Sequence, residues 1–286
     1  MDWERHKAVW PHATHSSFIP AGNAGGRWHV QIMGDGPDLL FLHGAGGATQ
    51  SWRGLLPLLA ADHRCIAVDL PGQGFSRPKL AGRYGIDPMA RDIAALAERE
   101  GWSPVALIGH SAGGALALRL AETGLCDRVI GVNAALGKFE GVAGWAFPLA
   151  AQLMSLNPFT AMMVSSTAAN AGSIGRFLDA TGSTLDDEGR ALYQALVSDP
   201  RHVDGTLRMM AAWNLTPLIA RFPRNAAEVI LLVGTGDTTV PPGVSRKAAA
   251  RLQNARIIEL EGLGHLAHEE DPALVARHVR DSLKAA

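Results

Sequence analysis

The stretch Ile108-Gly109-His110-Ser111-Ala112-Gly113-Gly114 joins an apolar run to a helix through a G-x-S-x-G turn. The apolar run before it, from Val105, is typical of a buried strand, and Ala115 to Ala121 is rich in alanine and leucine, as helices are. A serine on so sharp a bend takes a strained backbone conformation, so the residues two positions away on either side need to be glycine. The hydroxyl of Ser111 then points away from the sheet. The N-terminus of the following helix stabilises the negative charge that develops beside this hydroxyl. The stretch therefore predicts an exposed nucleophile.

Apolar runs alternate with helical patterns through most of the chain. We expect the other strands at Arg27 to Met33, Asp38 to Leu42, Arg64 to Leu70, Asp127 to Val132, Val229 to Val233 and Arg256 to Leu260. Helices are expected over Ser51 to Ala60, Asp87 to Glu98 and Ala115 to Ala121, from Pro242 to about Leu252, and at the C-terminal end. This alternation predicts an α/β protein with a mostly parallel sheet that helices cover on both faces.

The alternation stops between the strand that ends at Val132 and the strand that begins at Val229. Gly141 to Gly175 contains no charged residue, and Pro148 and Pro158 break it into short helices. We expect a first core part over 1–136 with an N-terminal arm, a helical cap insertion over 137–222, and a second core part over 223–286. The cap either packs on itself or forms an apolar pocket, and we favour a pocket lined by Trp145, Phe147, Met154, Phe159, Met162, Met210 and Trp213.

Three polar side chains, Ser111, Asp237 and His265, each follow a predicted strand. Ligands of such sheets bind beyond the carboxyl ends of the strands, so we expect these side chains to converge there. The glycine-rich loop His43-Gly44-Ala45-Gly46-Gly47 follows another strand. The tetrahedral oxyanion of ester hydrolysis needs two fixed donors, and the backbone N–H groups of Ala45 and Ala112 are the candidates.

The chain order Ser, Asp, His, together with G-x-S-x-G and His-Gly-x-Gly, resembles the α/β-hydrolase fold family over essentially the whole chain. The resemblance implies that Ser111 is the nucleophile, that His265 is the general base, and that Asp237 fixes the imidazole tautomer. Asp69, which Pro-Gly follows, is expected to pin a loop, and Asn133 cannot serve as the acid. One departure from the family is the pair Glu269-Glu270 in place of a single glutamate, so which carboxylate braces the His265 loop stays open.

Eleven histidines compete for the role of base. His43 and His110 flank glycines and are expected to shape their loops, and His268 is expected to face elsewhere. We expect surface or packing roles for seven others: His6, His12, His15, His29, His63, His202 and His278. No H-E-x-x-H motif or paired Cys/His spacing indicates a metal site, and we expect no cofactor.

Composition narrows the class of protein. A net charge of −1 over 286 residues does not favour a nucleic-acid partner. Cys65 and Cys126 cannot form a disulfide framework, and as buried small hydrophobes they suit a reducing cytoplasm. The first 17 residues have no apolar signal region, and no apolar run reaches the roughly 18 residues of a membrane span. Met1 to Glu4 and Trp10-Pro11 open the chain with exposed-looking polar residues and two tryptophans. We therefore expect a cytoplasmic protein, with contact between the uncharged cap and a membrane left open.

Several blocks outside these motifs resemble the BchO-type proteins, the magnesium-chelatase accessory proteins of bacteriochlorophyll biosynthesis. They are Met1 to Glu4, Trp10-Pro11, Gly26 to Gln31, Gly131 to Leu136, Leu156 to Phe159, Thr181 to Asp186, His202 to Gly205 and Met209 to Leu215. The resemblance implies a role beside magnesium insertion, with protoporphyrin IX or its magnesium derivative as a ligand and magnesium chelatase subunits as partners. Two alternatives stay open: a general carboxylesterase or lipase-like serine hydrolase, and a non-catalytic porphyrin-binding or delivery protein.

Overall fold

The computed structural model describes residues 1–22, 25–77, 84–137, 161–163, 165–166 and 171–284. Within these ranges the chain forms one eight-stranded sheet in the order β1-β2-β4-β3-β5-β6-β7-β8. The strands are β1 (Ser16–Pro20), β2 (Arg27–Met33), β3 (Asp38–Leu42), β4 (Arg64–Val68), β5 (Pro104–His110), β6 (Arg128–Val132), β7 (Glu228–Gly234) and β8 (Ala255–Leu260). Strand β2 pairs antiparallel with β1 and β4, and all other neighbours are parallel. The predicted mostly parallel sheet is confirmed, and the edge strand β1 is an addition to it.

The helices lie mainly in the connections between strands. In chain order they are α1 (Trp3–His6), α2 (Leu55–Leu59), α3 (Ile86–Arg99), α4 (Ala112–Ala121), α5 (Ala171–Asp179), α6 (Asp187–Val197), α7 (Pro200–Ala212), α8 (Thr216–Arg221), α9 (Pro242–Ala249), α10 (Ala267–Glu270) and α11 (Pro272–Lys284). The helical run expected over Ser51 to Ala60 is divided, because a 3-10 turn (Thr49–Trp52) precedes α2. Pro57 explains the break: it has no N–H for a longer helix and is tolerated only in the first turn.

The two faces of the sheet are covered by different helices. Leu40 and Leu42 of β3 pack into a core with α3 and α4, while Leu39 and Phe41 pack into a second core with α2 and α11. Successive side chains of a strand point to opposite faces, so one uninterrupted apolar strand serves both cores. This arrangement confirms the expected helical cover on both sides and holds the carboxyl ends of the central strands in fixed positions.

Two apolar residues attach the N-terminal arm to the core, while its polar side chains Asp2 and Glu4 are exposed as expected. Met1 and Trp10 are each only 3% exposed. The Trp10 ring meets Phe75 edge-on at 4.7 Å, and its indole N–H donates to Thr49 Oγ1 at 3.2 Å. An indole can be buried when its N–H finds an acceptor, and here ring and acceptor come from parts of the chain distant in sequence.

Helices α5 to α8 fall between β6 and β7, where the cap is expected. Residues 138–160 lie outside the described residues, so the division at 136 and 222 stays a prediction. Among the described residues, no helix is long and apolar enough to cross a membrane.

Candidate active site

Ser111 lies on the sharp turn between β5 and α4. Its backbone has φ 52° and ψ −118°, a left-handed conformation that side-chain-bearing residues rarely adopt. A Cβ on Gly109 would lie 2.3 Å from the Gly113 carbonyl oxygen, and one on Gly113 would lie 2.0 Å from the Leu42 carbonyl oxygen. The predicted glycines are therefore required by space, because the helix start packs directly onto the neighbouring strand end.

Asp237 and His265 meet beyond the ends of β7 and β8. His265 Nδ1 donates to Asp237 Oδ2 at 2.8 Å, and both side chains are buried. Asp237 Oδ1 accepts from the backbone N–H groups of Thr239 and Val240, each at 2.8 Å. The carboxylate is thus fixed on one oxygen and bound to imidazole on the other. A proton held on Nδ1 leaves Nε2 of the neutral ring free to accept one.

The turn that carries Ser111 is tied to the His265 loop through the backbone of His265. His110 Nε2 donates to the His265 carbonyl oxygen at 2.9 Å, and the two rings lie 4.7 Å apart between centroids. The side-chain amide of Asn133 donates to the same oxygen at 2.8 Å and to that of Gly264 at 2.7 Å. Asp237 and His265 are therefore in contact, and Ser111 lies at the end of β5, with no hydrogen bond from its hydroxyl to the imidazole among the described residues.

The glycine-rich loop after β3 closes a turn beside Ser111. Gly47 N–H donates to the Gly44 carbonyl oxygen at 3.0 Å, and His43 Nδ1 donates to the same oxygen at 2.7 Å. His43 Nε2 accepts from Leu70 N–H at 2.9 Å, so this ring is neutral, in agreement with a pKa that burial lowers. A Cβ on Gly44 would lie 3.1 Å from Ser111 Cβ, so the loop adjoins the serine. His43 shapes its loop as expected.

Both backbone polar groups of Gly46 are held by side chains. Its N–H donates to Gln73 Oε1 at 2.7 Å, and its carbonyl oxygen accepts from His202 Nε2 at 3.1 Å. No acceptor among the described residues takes the N–H of Ala45, and the N–H of Ala112 is the first of helix α4, where no intrahelical acceptor exists. These two N–H groups are consequently available to an anion beside Ser111.

A short segment after α5 holds the loops of Asp237 and His265 together. The Thr181 carbonyl oxygen accepts from His265 N–H at 3.2 Å, and Ser183 Oγ accepts from Leu266 N–H at 2.8 Å. A Cβ on Gly182 would lie 2.1 Å from the Gly236 carbonyl oxygen. Sequence reasoning assigned this segment no role at the site, although its residues belong to a BchO-like block.

The two glutamates after His265 have separate partners. Glu270 Oε1 accepts from Gly264 N–H at 2.8 Å, and Oε2 accepts from Thr184 N–H at 3.0 Å, so Glu270 braces the His265 loop. Glu269 instead contacts the Arg53 guanidinium and accepts from the Tyr193 hydroxyl at 2.7 Å. Burial raises the pKa of Glu269 to about 7, while Arg53 opposes that rise.

His268 lies in α10, which begins two residues after His265. Its buried ring lies 4.4 Å from the His110 ring and 4.6 Å from Trp52, between centroids. Neither ring nitrogen has a hydrogen-bond partner in the described part of the chain. Burial lowers the pKa of His268 to about 3 and holds the pKa of His110 well below its usual value, so both rings are neutral.

The remaining predictions concern the apolar pocket and a metal site. Trp145, Phe147, Met154 and Phe159 lie outside the described residues. Met162 is 53% exposed, and Met210 and Trp213 are half-buried, with Trp213 packed against the α3–α4 core. The apolar pocket therefore stays a prediction. Among the described residues, no group of three or more metal-ligating side chains is arranged to hold an ion.

The chain is similar to known proteins along most of its length. The family model of the alpha/beta hydrolase fold matches residues 37–272. The chain belongs to this family. The magnesium-chelatase 30 kDa subunit of Rhodobacter capsulatus is 46% identical to this α/β-hydrolase over 271 residues, which are 94% of each chain. This relative confirms the resemblance to BchO-type proteins.

Other members of the family are more distant. A pimeloyl-acyl-carrier-protein methyl ester esterase of Xanthomonas axonopodis is 29% identical over 241 residues, covering 83% of this chain and 91% of the esterase. The solved structure of an esterase from Exiguobacterium antarcticum has a TM-score of 0.75 at 19% identity, covering 94% of this chain and 99% of the esterase. The likeness to that structure shows the fold alone.

Proposed function

We propose that this α/β-hydrolase is a serine hydrolase that cleaves a carboxylic ester. The observation that carries the proposal is the Asp237–His265 hydrogen bond at the sheet edge, beside a serine held in a left-handed turn. An exposed hydroxyl, an oriented imidazole and two unoccupied N–H groups are the parts that acyl transfer requires.

The steps follow from the tautomer that Asp237 imposes. His265 Nε2 takes the hydroxyl proton as Ser111 Oγ attacks the ester carbonyl carbon, and Asp237 stabilises the imidazolium that forms. The N–H groups of Ala45 and Ala112 then hold the oxyanion. The imidazolium returns its proton to the leaving alcohol, and a water activated by the same nitrogen hydrolyses the acyl-enzyme.

The relative from Rhodobacter capsulatus supports a biological setting for this chemistry. A protein 46% identical along nearly its full length carries the name of a magnesium-chelatase subunit. We infer that this chain is an accessory protein of magnesium chelation in bacteriochlorophyll biosynthesis, working with chelatase subunits. Its ligand is then protoporphyrin IX or the magnesium derivative, held under the helices between β6 and β7. Contact of this region with a membrane stays a prediction.

The experiment is pre-steady-state hydrolysis of p-nitrophenyl acetate by the wild type and Ser111→Ala. We expect a burst of p-nitrophenol from the wild type and at least a roughly 10³-fold lower rate from the variant, because the nucleophile is lost. Mass spectrometry after fluorophosphonate treatment is expected to find the adduct on Ser111. Equal turnover in both proteins would contradict the proposal.

A second candidate function is binding and delivery of a tetrapyrrole without catalysis. A cleft of about 430 Å³ between the loop after β4 and α7 is lined by Arg77, Arg201 and Arg208, and by Asp204, which forms an ion pair with Arg208. Guanidinium groups bind carboxylates, which protoporphyrin carries. Saturable quenching of tryptophan fluorescence by micromolar protoporphyrin, weakened in Arg201→Gln, would favour this function. Absence of quenching would count against it.

A further inference from the structure

Helix α7 contacts the glycine-rich loop through one of its faces. His202, Thr206 and Met209 are four and three residues apart, the spacings that place side chains on the same side of a helix. His202 is only 1% exposed although it belongs to the region between β6 and β7. This face of α7 therefore contacts the loop at Gly46.

The hydrogen bonds of His202 define its tautomer. Nδ1 accepts from Gly74 N–H at 2.9 Å, so the proton resides on Nε2, which donates to the Gly46 carbonyl oxygen at 3.1 Å. Burial lowers the pKa of His202 to about 3, so the ring is neutral near pH 7. The ring thus accepts a hydrogen bond from Gly74 through Nδ1 and donates one to Gly46 through Nε2, so it links these two loops.

The backbone N–H of Gly46 reaches α7 through Gln73. Gln73 Oε1 accepts from Gly46 N–H at 2.7 Å and lies 3.4 Å from Thr206 Oγ1. The Gln73 amide nitrogen lies 3.1 Å from Met209 Sδ. Both polar groups of Gly46 are therefore anchored to α7, one directly and one through a single glutamine.

We propose that His202 is a positioning residue for the oxyanion-binding N–H of Ala45, an inference that rests on the proposed function. The turn contains glycine at 44, 46 and 47, and a glycine-rich backbone explores many conformations unless it is held. Oxyanion stabilisation depends on donors that do not reorganise during the reaction. By holding the Gly46 carbonyl oxygen, His202 fixes the turn that presents the N–H of Ala45 to the oxyanion.

Two substitutions separate the two hydrogen bonds of the ring. The amide of His202→Asn can reach the position of Nδ1 and keep the bond from Gly74, but it is too short to reach Gly46. The amide of His202→Gln can reach the position of Nε2 and keep the donor to Gly46. We expect kcat for p-nitrophenyl acetate to fall about 30-fold in the Asn variant with KM within twofold, less than the roughly 10²–10³-fold loss of a whole oxyanion donor. The Gln variant is expected to recover most of this loss.

His278→Asn makes the same substitution on α11, away from the loop, and we expect it to leave kcat unchanged. Thermal unfolding of each variant measures stability separately. Wild-type kcat in the Asn variant, or equal losses in the Asn and Gln variants that follow their melting temperatures, would overturn the inference while leaving the proposed function in place. A wild type without turnover and without an adduct on Ser111 would instead refute the proposed function, and this inference with it.

Discussion

The described part of the chain contains two buried histidine–aspartate pairs, and their nitrogen–oxygen distances are nearly the same. His265 Nδ1 lies 2.8 Å from Asp237 Oδ2, and His29 Nδ1 lies 2.7 Å from Asp69 Oδ2. The second pair even has a serine, since Ser16 Oγ lies 3.0 Å from His29 Nε2. A chain of serine, histidine and aspartate is therefore insufficient to identify a nucleophile.

The backbone around each serine separates the two arrangements. Ser111 sits in a left-handed turn before α4, whereas Ser16 is the first residue of the antiparallel edge strand β1. The Gln31 amide donates to Ser16 Oγ at 3.2 Å, and an aromatic cluster surrounds His29, with ring centroids 5.1 to 5.4 Å away in Trp3, Phe18 and Phe75. Turn geometry and adjacent N–H donors therefore identify a candidate nucleophile better than a hydrogen-bonded series of serine, histidine and aspartate does.

The two carboxylates also distribute their hydrogen-bond donors differently between their two oxygens. At Asp237 one oxygen takes both backbone N–H groups and the other takes only imidazole. At Asp69 each oxygen takes one backbone N–H, from Thr49 at 2.7 Å and from Phe75 at 2.8 Å, which fulfils the expectation that Asp69 pins a loop. An asparagine can replace the first carboxylate without losing a backbone bond, but it cannot replace the second.

The largest expected effect is that of Asp237→Asn on activity. Its oxygen keeps both backbone N–H groups, and its NH₂ group selects the imidazole tautomer protonated on Nε2, which cannot act as a base. We expect kcat for p-nitrophenyl acetate to fall about 10⁴-fold. Urea unfolding is expected to change by less than about 1 kcal/mol. Retained activity in a folded variant would show that the two pairs do not differ as described.

Asp69→Asn is expected to act on stability. Whichever way the amide faces, its NH₂ group meets a buried backbone N–H, and one donor is left without an acceptor. We expect a loss of about 3 kcal/mol in the free energy of unfolding, with the activity of the folded fraction within several-fold of wild type. Urea titration followed by circular dichroism measures the loss, and an unchanged midpoint would contradict the structural role of Asp69.

As the pH falls, we expect stability to be lost first around His265 and only at lower pH around His29. The pKa of His268 is about 3 in the folded chain against an ordinary value of 6.5, so between these values the unfolded chain binds the proton and stability falls as pH decreases. Asp69, with a pKa lowered to about 2 from an ordinary 3.8, loses its contribution only as pH falls below about 4. From pH 7.5 to 5, His268→Leu is expected to gain about 2 kcal/mol relative to wild type. Parallel urea curves at both pH values would contradict this expectation.

The smallest effect is expected for Ser16→Ala. Its hydroxyl joins His29 and Gln31 at the sheet edge, so its loss is expected to lower stability by about 1 kcal/mol. Hydrolysis of p-nitrophenyl acetate and fluorophosphonate labelling are expected to stay at wild-type levels. A loss of labelling comparable to that of Ser111→Ala would remove the distinction between the two serines.

Much of the fold was predictable because its signals are local. The apolar strands, the glycines around Ser111 and the chain order of Ser111, Asp237 and His265 all lie within short windows of sequence. The expectation that these three residues share an edge needed only the rule that parallel strands end together. The catalytic roles themselves stay a proposal.

The supporting contacts were not predictable, because each joins segments far apart in the chain. His202 bonds to Gly46, 156 residues away, and Asn133 bonds to His265, 132 residues away. His29 and His202 were expected only to pack or face solvent, and no local pattern marks a histidine that will be buried with two hydrogen bonds. The edge strand β1 was missed because Ser16-Ser17-Phe18-Ile19-Pro20 is short and ends in proline.

The contact between Gly182 and Gly236 has a consequence for how this region can be exchanged among relatives. Here two main chains touch where any side chain would force them apart, and the carbonyl group of Gly182 also lies against Gly264. A chimera that receives a foreign segment between β6 and β7 would separate the acid from the base unless the graft brings a glycine to the same point. Exchange of this segment among relatives would thus require glycine at position 182, whereas the surrounding surfaces can change more freely.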